Sequence, residues 1–292
     1  MPLNIPGLLV PFQLLIHPRI VIPNVIVKDI RYIDFAALRK AGYRGAVFDK
    51  DNCLTIPYQD TLVPELETAW AECRKTFGES NVIIVSNSAG THTDPGGIQS
   101  ESVSHHLQVP VLNHKTFKPG YPCINSIRAY FSSLRRPILD DELIIVGDRI
   151  FTDVVMANRM RLTNPRRSTD PSHTPKPRGL IGEAFSCIFE KDGAPNTERE
   201  SLRQQVEKEK EHKREKRLVV GRGPLAVWTT GVWEKEAMGM RWFEKKVVQA
   251  AEKWSTPREG VSRDSSNFIR RIKLEDRRSS IFNNIWSRLT SA

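Results

Sequence analysis

The chain has 292 residues, of which 39% are hydrophobic, a length and composition that suit one α/β core with appendages rather than two full domains. Its formal charge of +10 favours an anionic partner: a nucleic acid, an acidic membrane surface or a phosphorylated substrate. No run reaches the roughly 18 apolar residues of a membrane-spanning helix, so we expect a protein that does not cross a membrane. Four scattered cysteines argue against a zinc site or a disulfide framework and favour a reducing compartment.

The first 24 residues form an apolar arm that is interrupted by prolines and contains no acidic residue. The arm lacks the basic start of a secretory signal and the Arg/Ser-rich face of an ordinary transit peptide. Two interpretations remain open. The arm packs against the core or another subunit, or it lies in the interface of a bilayer.

From residue 45 onward, short apolar runs alternate with amphipathic segments. Strands are predicted at 45–50, 81–87, 109–112 and 142–148, and helices at 64–77, 121–134 and 151–161. Strands that are apolar along nearly their whole length indicate a parallel sheet covered on both faces. We therefore predict a Rossmann-like, doubly wound α/β core over residues 25–161, with its reactive groups at the carboxyl ends of the strands.

The composition changes after this core. Residues 162–223 join a Pro/Ser/Thr/Arg stretch to a nearly all-polar charged run, which predicts a flexible insertion. Residues 224–250 are expected to rejoin the core as a strand at Leu225–Trp228 and a helix. Trp242 and Phe243 are expected to pack on the core or on another subunit. The basic amphipathic tail, 251–292, packs on protein or meets anionic lipid, and the sequence leaves both open.

Two polar signals follow the first two core strands. Asp49 and Asp51 come directly after the first strand, where like-charge repulsion is costly unless a cation lies between them, so they suggest a metal site. Ser86 and Asn87 close the next strand and are suited to donate hydrogen bonds to a phosphoryl oxygen.

Two further signals lie downstream. Lys118 precedes a predicted helix and can neutralise phosphoryl charge. Asp148 ends the strongly β-branched strand, and Asp153 follows within the next turn. Each signal alone is ordinary turn chemistry, but the four together, in this order on one sheet, are far more specific.

The motifs FDKDNCLT, SNSAG, FKPG and VGDRIFTDVVMANRM resemble those of the haloacid-dehalogenase (HAD) phosphatase superfamily. More narrowly, they resemble the mitochondrial phosphatidylglycerophosphatases of fungi and their bacterial relatives. The resemblance covers about Val25 to Arg161, with the strand at 225–228 added. Cys53 stands where the superfamily commonly has Thr or Val, a departure that the narrower family shares.

The resemblance implies a Mg²⁺-dependent phosphatase in which Asp49 is the nucleophile and Asp51 the general acid and base. Chemistry supports these roles, because a carboxylate attacks a phosphoryl group only where a metal ion and a lysine offset the repulsion between two anions. Oxygen ligands are also what Mg²⁺ prefers. The implied Mg²⁺ ligands are Asp49, Asp51 and Asp148.

The resemblance also implies a phosphate-binding set, comprising Ser86 and Lys118, to which we add Asn87 from its place at the strand end. We expect Asp153 to orient the metal ligands rather than to bind the ion itself. A thiol nucleophile at Cys53 is a weaker alternative, because no phosphate-cradling CxxxxxR signature surrounds it.

The spacing between the motifs leaves room for a minimal cap or none, so the site is expected to be open and to suit a phosphate displayed on something large. The apolar arm and the positive charge favour a phospholipid at an anionic membrane surface. The resemblance implies hydrolysis of phosphatidylglycerophosphate in cardiolipin biosynthesis, by a peripheral protein on the matrix side of the mitochondrial inner membrane.

Two alternatives belong to other classes of function. The first is a HAD phosphatase of nucleic-acid ends or phosphoproteins, which the charge permits, although no basic stretch interleaved with aromatics lies in the core. The second is a non-catalytic, receiver-like binding domain. We expect no nucleic-acid partner, and we leave open a homo-oligomer.

Overall fold

The computed structural model describes residues 10–14, 16–163, 223–236, 238–255 and 265–270. The predicted flexibility of the insertion at 162–223 therefore lies almost entirely outside the described residues, as does most of the tail at 251–292.

The described chain forms a layered α/β structure. Its strands are β1 (Val25–Val27), β2 (Gly45–Phe48), β3 (Val82–Ile84), β4 (Leu143–Gly147) and β5 (Leu225–Thr229). Its α-helices are α1 (Val10–Leu14), α2 (Phe35–Lys40), α3 (Glu67–Phe77), α4 (Ile98–Leu107), α5 (Tyr121–Ser133), α6 (Val155–Leu162) and α7 (Met238–Trp254). A π-helical turn, Ile150–Val154, leads into α6.

The five strands form one sheet in the order β1-β5-β4-β2-β3, and every pair is parallel. This confirms the predicted Rossmann-like α/β class. After residue 223 the chain contributes β5 to the same sheet, where it inserts between β1 and β4. The edge strand β1 was not predicted.

The strand predicted at 109–112 is reduced to a single parallel bridge between Val111 and Ile84. The Ile84 amide donates to the Pro110 carbonyl at 3.0 Å, and the Leu112 amide donates to Ile84 at 2.8 Å. Because proline has no amide hydrogen to donate, it limits how far such pairing can extend.

Apolar residues on the sheet alternate between two buried clusters, one on each face. In β2, Ala46 and Phe48 face the cluster that contains α2, α3 and α4, whereas Val47 faces the cluster that contains α5, α6 and α7. This period-two alternation of buried side chains explains why the strands are apolar throughout.

The described part of the N-terminal arm packs on the second of these faces. Val10, Ile20 and Val21 are buried there, and the Pro18–Val21 turn contacts α7. Phe12 and Ile16 remain 68% and 75% exposed. The arm thus contributes to the core and also presents apolar side chains to solvent.

Helix α7 buries one of its faces against the core. Its buried residues recur at helical spacing: Arg241, Glu244, Val248 and Ala251. Trp242 does not pack on the core of this chain: its side chain is 62% exposed and lies beside Lys246, so its packing on another subunit stays a prediction. Phe243 is 45% exposed and makes an edge contact with Phe151.

Among the described residues, none of the helices combines the length and apolarity needed to cross a bilayer. Between Asp49 and β3 the helical elements are two short 3₁₀ turns and α3. The carboxyl edge of the sheet is therefore approached by loops, which is where the predicted site residues lie.

Candidate active site

Every predicted site residue lies at or just beyond the carboxyl edge of the sheet. Asp49 directly follows β2, and its amide donates to the Val146 carbonyl of β4 at 2.9 Å. Asp148 directly follows β4, and Ser86 lies two residues beyond β3. Because parallel strands end at the same edge, residues far apart in sequence meet at one place.

Lys118 lies at the centre of the site. Its Nζ contacts Asp49 Oδ1 at 2.6 Å and Asp153 Oδ1 at 2.8 Å, and the side chain is fully buried. Burial alone lowers the pKa of Lys118, but the charges of Asp153 and Asp49 raise it above its usual value. The lysine is therefore a permanent cation beside Asp49, as a phosphate-binding role requires.

Asp49, Asp148 and Asp153 form the candidate metal centre. Each offers a carboxylate oxygen, and the three oxygens lie within 4.8 Å of one another. Asp148 Oδ1 is buried and has no hydrogen-bond partner among the described residues. An unpaired, buried carboxylate oxygen is costly, and a hard cation such as Mg²⁺ would satisfy it. The residues present therefore fit the ion.

Asp153 takes a more central place than we expected. It contacts Lys118 directly, and its Oδ2 accepts hydrogen bonds from the Arg149 amide at 3.2 Å and from Thr152 Oγ1 at 3.1 Å. Burial raises the pKa of Asp153 to about 6. Gly147 leaves room for the Asp153 side chain, because a Cβ at that glycine would collide with the Asp153 carboxyl group.

The Asp51 carboxylate lies outside this three-carboxylate cluster. It pairs with Lys50 Nζ at 2.8 Å and accepts hydrogen bonds from Ser88 Oγ and from the Tyr58 amide, each at 3.2 Å. Partial burial raises the pKa of Asp51, and its side chain is still 32% exposed. These properties suit proton transfer. The role of Asp51 as a Mg²⁺ ligand stays a prediction.

The two polar residues after β3 have different environments. Ser86 Oγ lies 2.9 Å from Ser88 Oγ, which in turn donates to Asp51, so the three side chains form a chain of contacts. Asn87 Oδ1 instead accepts a hydrogen bond from the Lys118 amide at 2.7 Å. In this structure Asn87 therefore holds the Lys118 loop in place.

Cys53 is fully buried, and burial raises the pKa of its thiol well above the usual value. A buried, protonated thiol is a poor nucleophile. The geometry thus favours Asp49 over Cys53 as the attacking group.

Sequence analysis missed two residues that contact the candidate site residues. Arg241 of α7 forms a buried ion pair with Asp148 Oδ2. His114 has its ring nitrogens 2.9 Å from the Ser86 carbonyl oxygen and 2.6 Å from that of Thr116, and so links the loops that carry Ser86 and Lys118. Neither residue adjoins a motif that marks catalysis, so their roles depend on contacts between distant segments.

An aspartate beside a buried lysine, with a cluster of carboxylates at the edge of a parallel sheet, is an arrangement typical of HAD-like phosphatases. The family comparison is more specific. The chain belongs to the mitochondrial PGP phosphatase family, whose profile matches residues 5–163. This confirms the resemblance that the motifs indicated.

Individual relatives agree with the family. The chain is 34% identical over 158 residues to a mitochondrial phosphatidylglycerophosphatase of Saccharomyces cerevisiae, a match that covers 54% of this chain and 83% of the yeast protein. It is 36% identical over 159 residues to the chloroplastic/mitochondrial phosphatidylglycerophosphate phosphatase 1 of Arabidopsis thaliana, covering 54% of this chain and 44% of the plant protein.

A chloroplastic phosphatidylglycerophosphate phosphatase 1 of Chlamydomonas reinhardtii is 39% identical over 139 residues, which is 47% of this chain and 49% of the algal protein. The chain thus spans about half the length of the plant and algal relatives that it matches. No solved structure matches it significantly.

Proposed function

We propose that this protein hydrolyses phosphatidylglycerophosphate to phosphatidylglycerol and inorganic phosphate, in the synthesis of cardiolipin. The observation that carries the proposal is the buried contact of Lys118 with both Asp49 and Asp153, in a chain of the PGP phosphatase family. A permanent cation beside a carboxylate at the sheet edge is the arrangement that lets that carboxylate attack a phosphate dianion.

In the first half of the reaction, an Asp49 oxygen attacks phosphorus, and the bond from phosphorus to the glycerol oxygen breaks. Asp51 gives its proton to that oxygen, which leaves a phospho-aspartate. In the second half, Asp51 takes a proton from water as the water attacks the phospho-aspartate, which releases phosphate and regenerates Asp49. Mg²⁺, when held by Asp49 and Asp148, would offset the charge of the phosphoryl oxygens.

The environment of Asp51 supports its two roles. Its raised pKa favours the protonated form needed in the first half, and its partial exposure lets water reach it in the second. Ser88 links Asp51 to Ser86, the proposed phosphate ligand. The proposed acid is thus held close to the proposed phosphate ligand.

The proposed location is the matrix side of the mitochondrial inner membrane, where the protein would be peripheral. The fungal relatives are named as mitochondrial, which supports the organelle. Helix α7 supports a membrane surface, because an exposed or half-exposed apolar stripe recurs on it at helical spacing: Met240, Phe243, Val247, Ala250 and Trp254.

Charge on the same helix also supports an anionic bilayer. Lys246 and Lys253 are exposed on α7, and each basic residue near such a surface contributes about 1 kcal/mol. Phe12 and Ile16 of the arm are exposed on the face of the sheet that α7 also covers.

The substrate is tested by phosphate release from the purified protein, with Mg²⁺ or with EDTA. Three substrates are compared: phosphatidylglycerophosphate in detergent micelles, a phosphopeptide and a 3′-phosphorylated oligonucleotide. We expect Mg²⁺-dependent release from the lipid alone. Preferential hydrolysis of the peptide or oligonucleotide would replace the lipid assignment, and no release from any substrate would favour a binding domain.

The membrane surface is tested by flotation with cardiolipin-containing liposomes. The double variant Phe12→Gln, Ile16→Gln and the single variant Trp254→Gln should float less than the wild type while still hydrolysing micellar substrate. Ile98→Gln is the matched control, because Ile98 is also exposed but lies on α4, across the sheet. Equal flotation of all variants would remove this surface from the proposal.

A further inference from the structure

Arg241 is a buried cation that comes from outside the region matched by the family profile. It lies on α7, beyond the matched residues 5–163, and is only 9% exposed. One guanidinium nitrogen pairs with Asp148 Oδ2, a second lies 3.5 Å from the Asp148 carbonyl oxygen, and Nε donates to the Glu236 carbonyl at 3.1 Å.

The contact with Arg241 makes the two carboxylate oxygens of Asp148 differ in their environment. Arg241 pairs with Oδ2, whereas Oδ1 is buried, has no partner among the described residues and belongs to a carboxylate of the candidate metal centre. A carboxylate that is held through one oxygen presents the other in a fixed direction, which is how groups behind metal ligands orient them. The guanidinium is always charged and planar, so it suits such a hold.

Several contacts fix the segment that carries Arg241. Glu244, one turn further along α7, accepts hydrogen bonds at 3.4 Å from Arg149 Nε and from the Phe151 amide. Before the helix, Asn52 Oδ1 accepts from the amides of Trp233 and Glu234, each at 3.1 Å. The segment is therefore attached to the loops that follow both β2 and β4, and it can place the guanidinium accurately.

We propose that Arg241 is a positioning residue for the metal centre, which holds Asp148 so that Oδ1 faces the cation. Helix α7, which the chain reaches only after its long insertion, thereby completes the active site. The inference rests on the proposed function insofar as that function requires Mg²⁺, but Mg²⁺ binding itself can be measured without turnover.

The test compares Mg²⁺ binding by isothermal titration calorimetry for the wild type, Arg241→Gln, Arg241→Lys and Lys245→Gln. Lys245→Gln is the matched control, since it removes one positive charge from the exposed face of the same helix. We expect Arg241→Gln to raise the Kd for Mg²⁺ by about tenfold or more, as loss of an orienting partner does elsewhere. Lys245→Gln should bind as the wild type does.

Arg241→Lys keeps the charge but loses the planar fork, so its Kd should lie between those of the wild type and Arg241→Gln. In assays on micellar lipid, Arg241→Gln should raise the Mg²⁺ concentration for half-maximal rate while kcat at saturating Mg²⁺ changes little. Loss of packing alone would not produce this split.

An Arg241→Gln variant with the Kd of Lys245→Gln would overturn the proposal, and tighter binding would show that Arg241 competes with the ion instead. If Arg241→Gln does not fold, a wild-type Kd in Arg241→Lys overturns it. Mg²⁺-dependent lipid turnover with no effect of Arg241 leaves the proposed function intact. If Arg241→Gln raises the Kd for Mg²⁺ but the wild type turns over none of the substrates, the inference about Arg241 stands and the proposed function fails. A wild type that does not bind Mg²⁺ overturns both.

Discussion

Two carboxylates of the candidate active site, those of Asp51 and Asp148, are each paired with a cation but lie in different environments. Asp51 pairs with its neighbour Lys50 and is 32% exposed, whereas Asp148 pairs with Arg241, 93 residues away, and is 3% exposed. An exposed carboxylate can exchange protons with water, but a buried one held by an arginine cannot do so readily. We therefore expect Asp51 to serve in proton transfer and Asp148 in metal binding.

The largest expected effect on turnover comes from substitution of a third carboxylate, Asp49. Asp49→Asn should lower turnover by about 10⁴-fold or more, because an amide cannot form the phospho-aspartate. The variant should remain folded by circular dichroism. Asp140→Asn makes the same chemical change near the opposite edge of the sheet and should retain activity. Near wild-type activity in Asp49→Asn would exclude Asp49 as the nucleophile.

The expected difference in role between Asp51 and Asp148 is tested by the variants Asp51→Asn and Asp148→Asn. Asp51→Asn should lower kcat by about 10² to 10⁴-fold through loss of the acid and base. Its Mg²⁺ affinity, measured by calorimetry, should be almost unchanged, since its carboxylate lies outside the cluster. Asp148→Asn should lose Mg²⁺ affinity, by at least the roughly 10-fold to 100-fold typical of an orienting residue.

The opposite pattern would break the distinction. If Asp51→Asn abolishes Mg²⁺ binding, Asp51 is a metal ligand, as the motif resemblance implied. Unchanged binding in Asp148→Asn would remove Asp148 from the metal centre.

A smaller effect is expected in the pH dependence of stability. Burial raises the pKa of Asp153 to about 6, and its unfolded value is about 3.9. The folded state therefore binds this proton more tightly, so its stabilising effect is complete below pH of about 4 and is lost as pH rises through 6. The loss for this group is at most about 3 kcal/mol.

Urea unfolding of the metal-free protein between pH 4.5 and 7.5 measures this effect. The free energy of unfolding should fall more steeply with pH in the wild type than in Asp153→Asn, which has no proton to lose. Parallel curves for the two proteins would contradict a raised pKa at Asp153.

The smallest effect is expected at Cys53. Cys53→Ser should keep kcat within about twofold and cost about 1 to 3 kcal/mol of stability, because it buries a hydroxyl group in place of a thiol. Cys73→Ser is the matched control, since Cys73 is equally buried on α3, away from the sheet edge. Loss of activity in the folded Cys53 variant alone would revive the thiol alternative.

The amino-acid sequence by itself determined the parallel sheet and the identity of most of the site. Strand periodicity is local, and Asp49, Ser86 and Asp148 each lie within two residues of a strand end, so a pattern along the chain locates them. The sequence predicted the extent of strand pairing less well. The strand expected at 109–112, for example, forms only a single bridge at Val111. Pairing depends on the partner strand as well as on the local pattern.

Only the tertiary structure decided which carboxylates share a centre and what holds them. Asp153 rather than the side chain of Asp51 joins Asp49 and Asp148, because the π-helical turn directs it toward Lys118. Arg241 reaches Asp148 across 93 residues of intervening chain. The periodicity of the sequence does not reveal such a contact, because the contact forms only when the sheet brings distant loops to one edge. Burial then favours the ion pair, since an unpaired buried charge costs free energy.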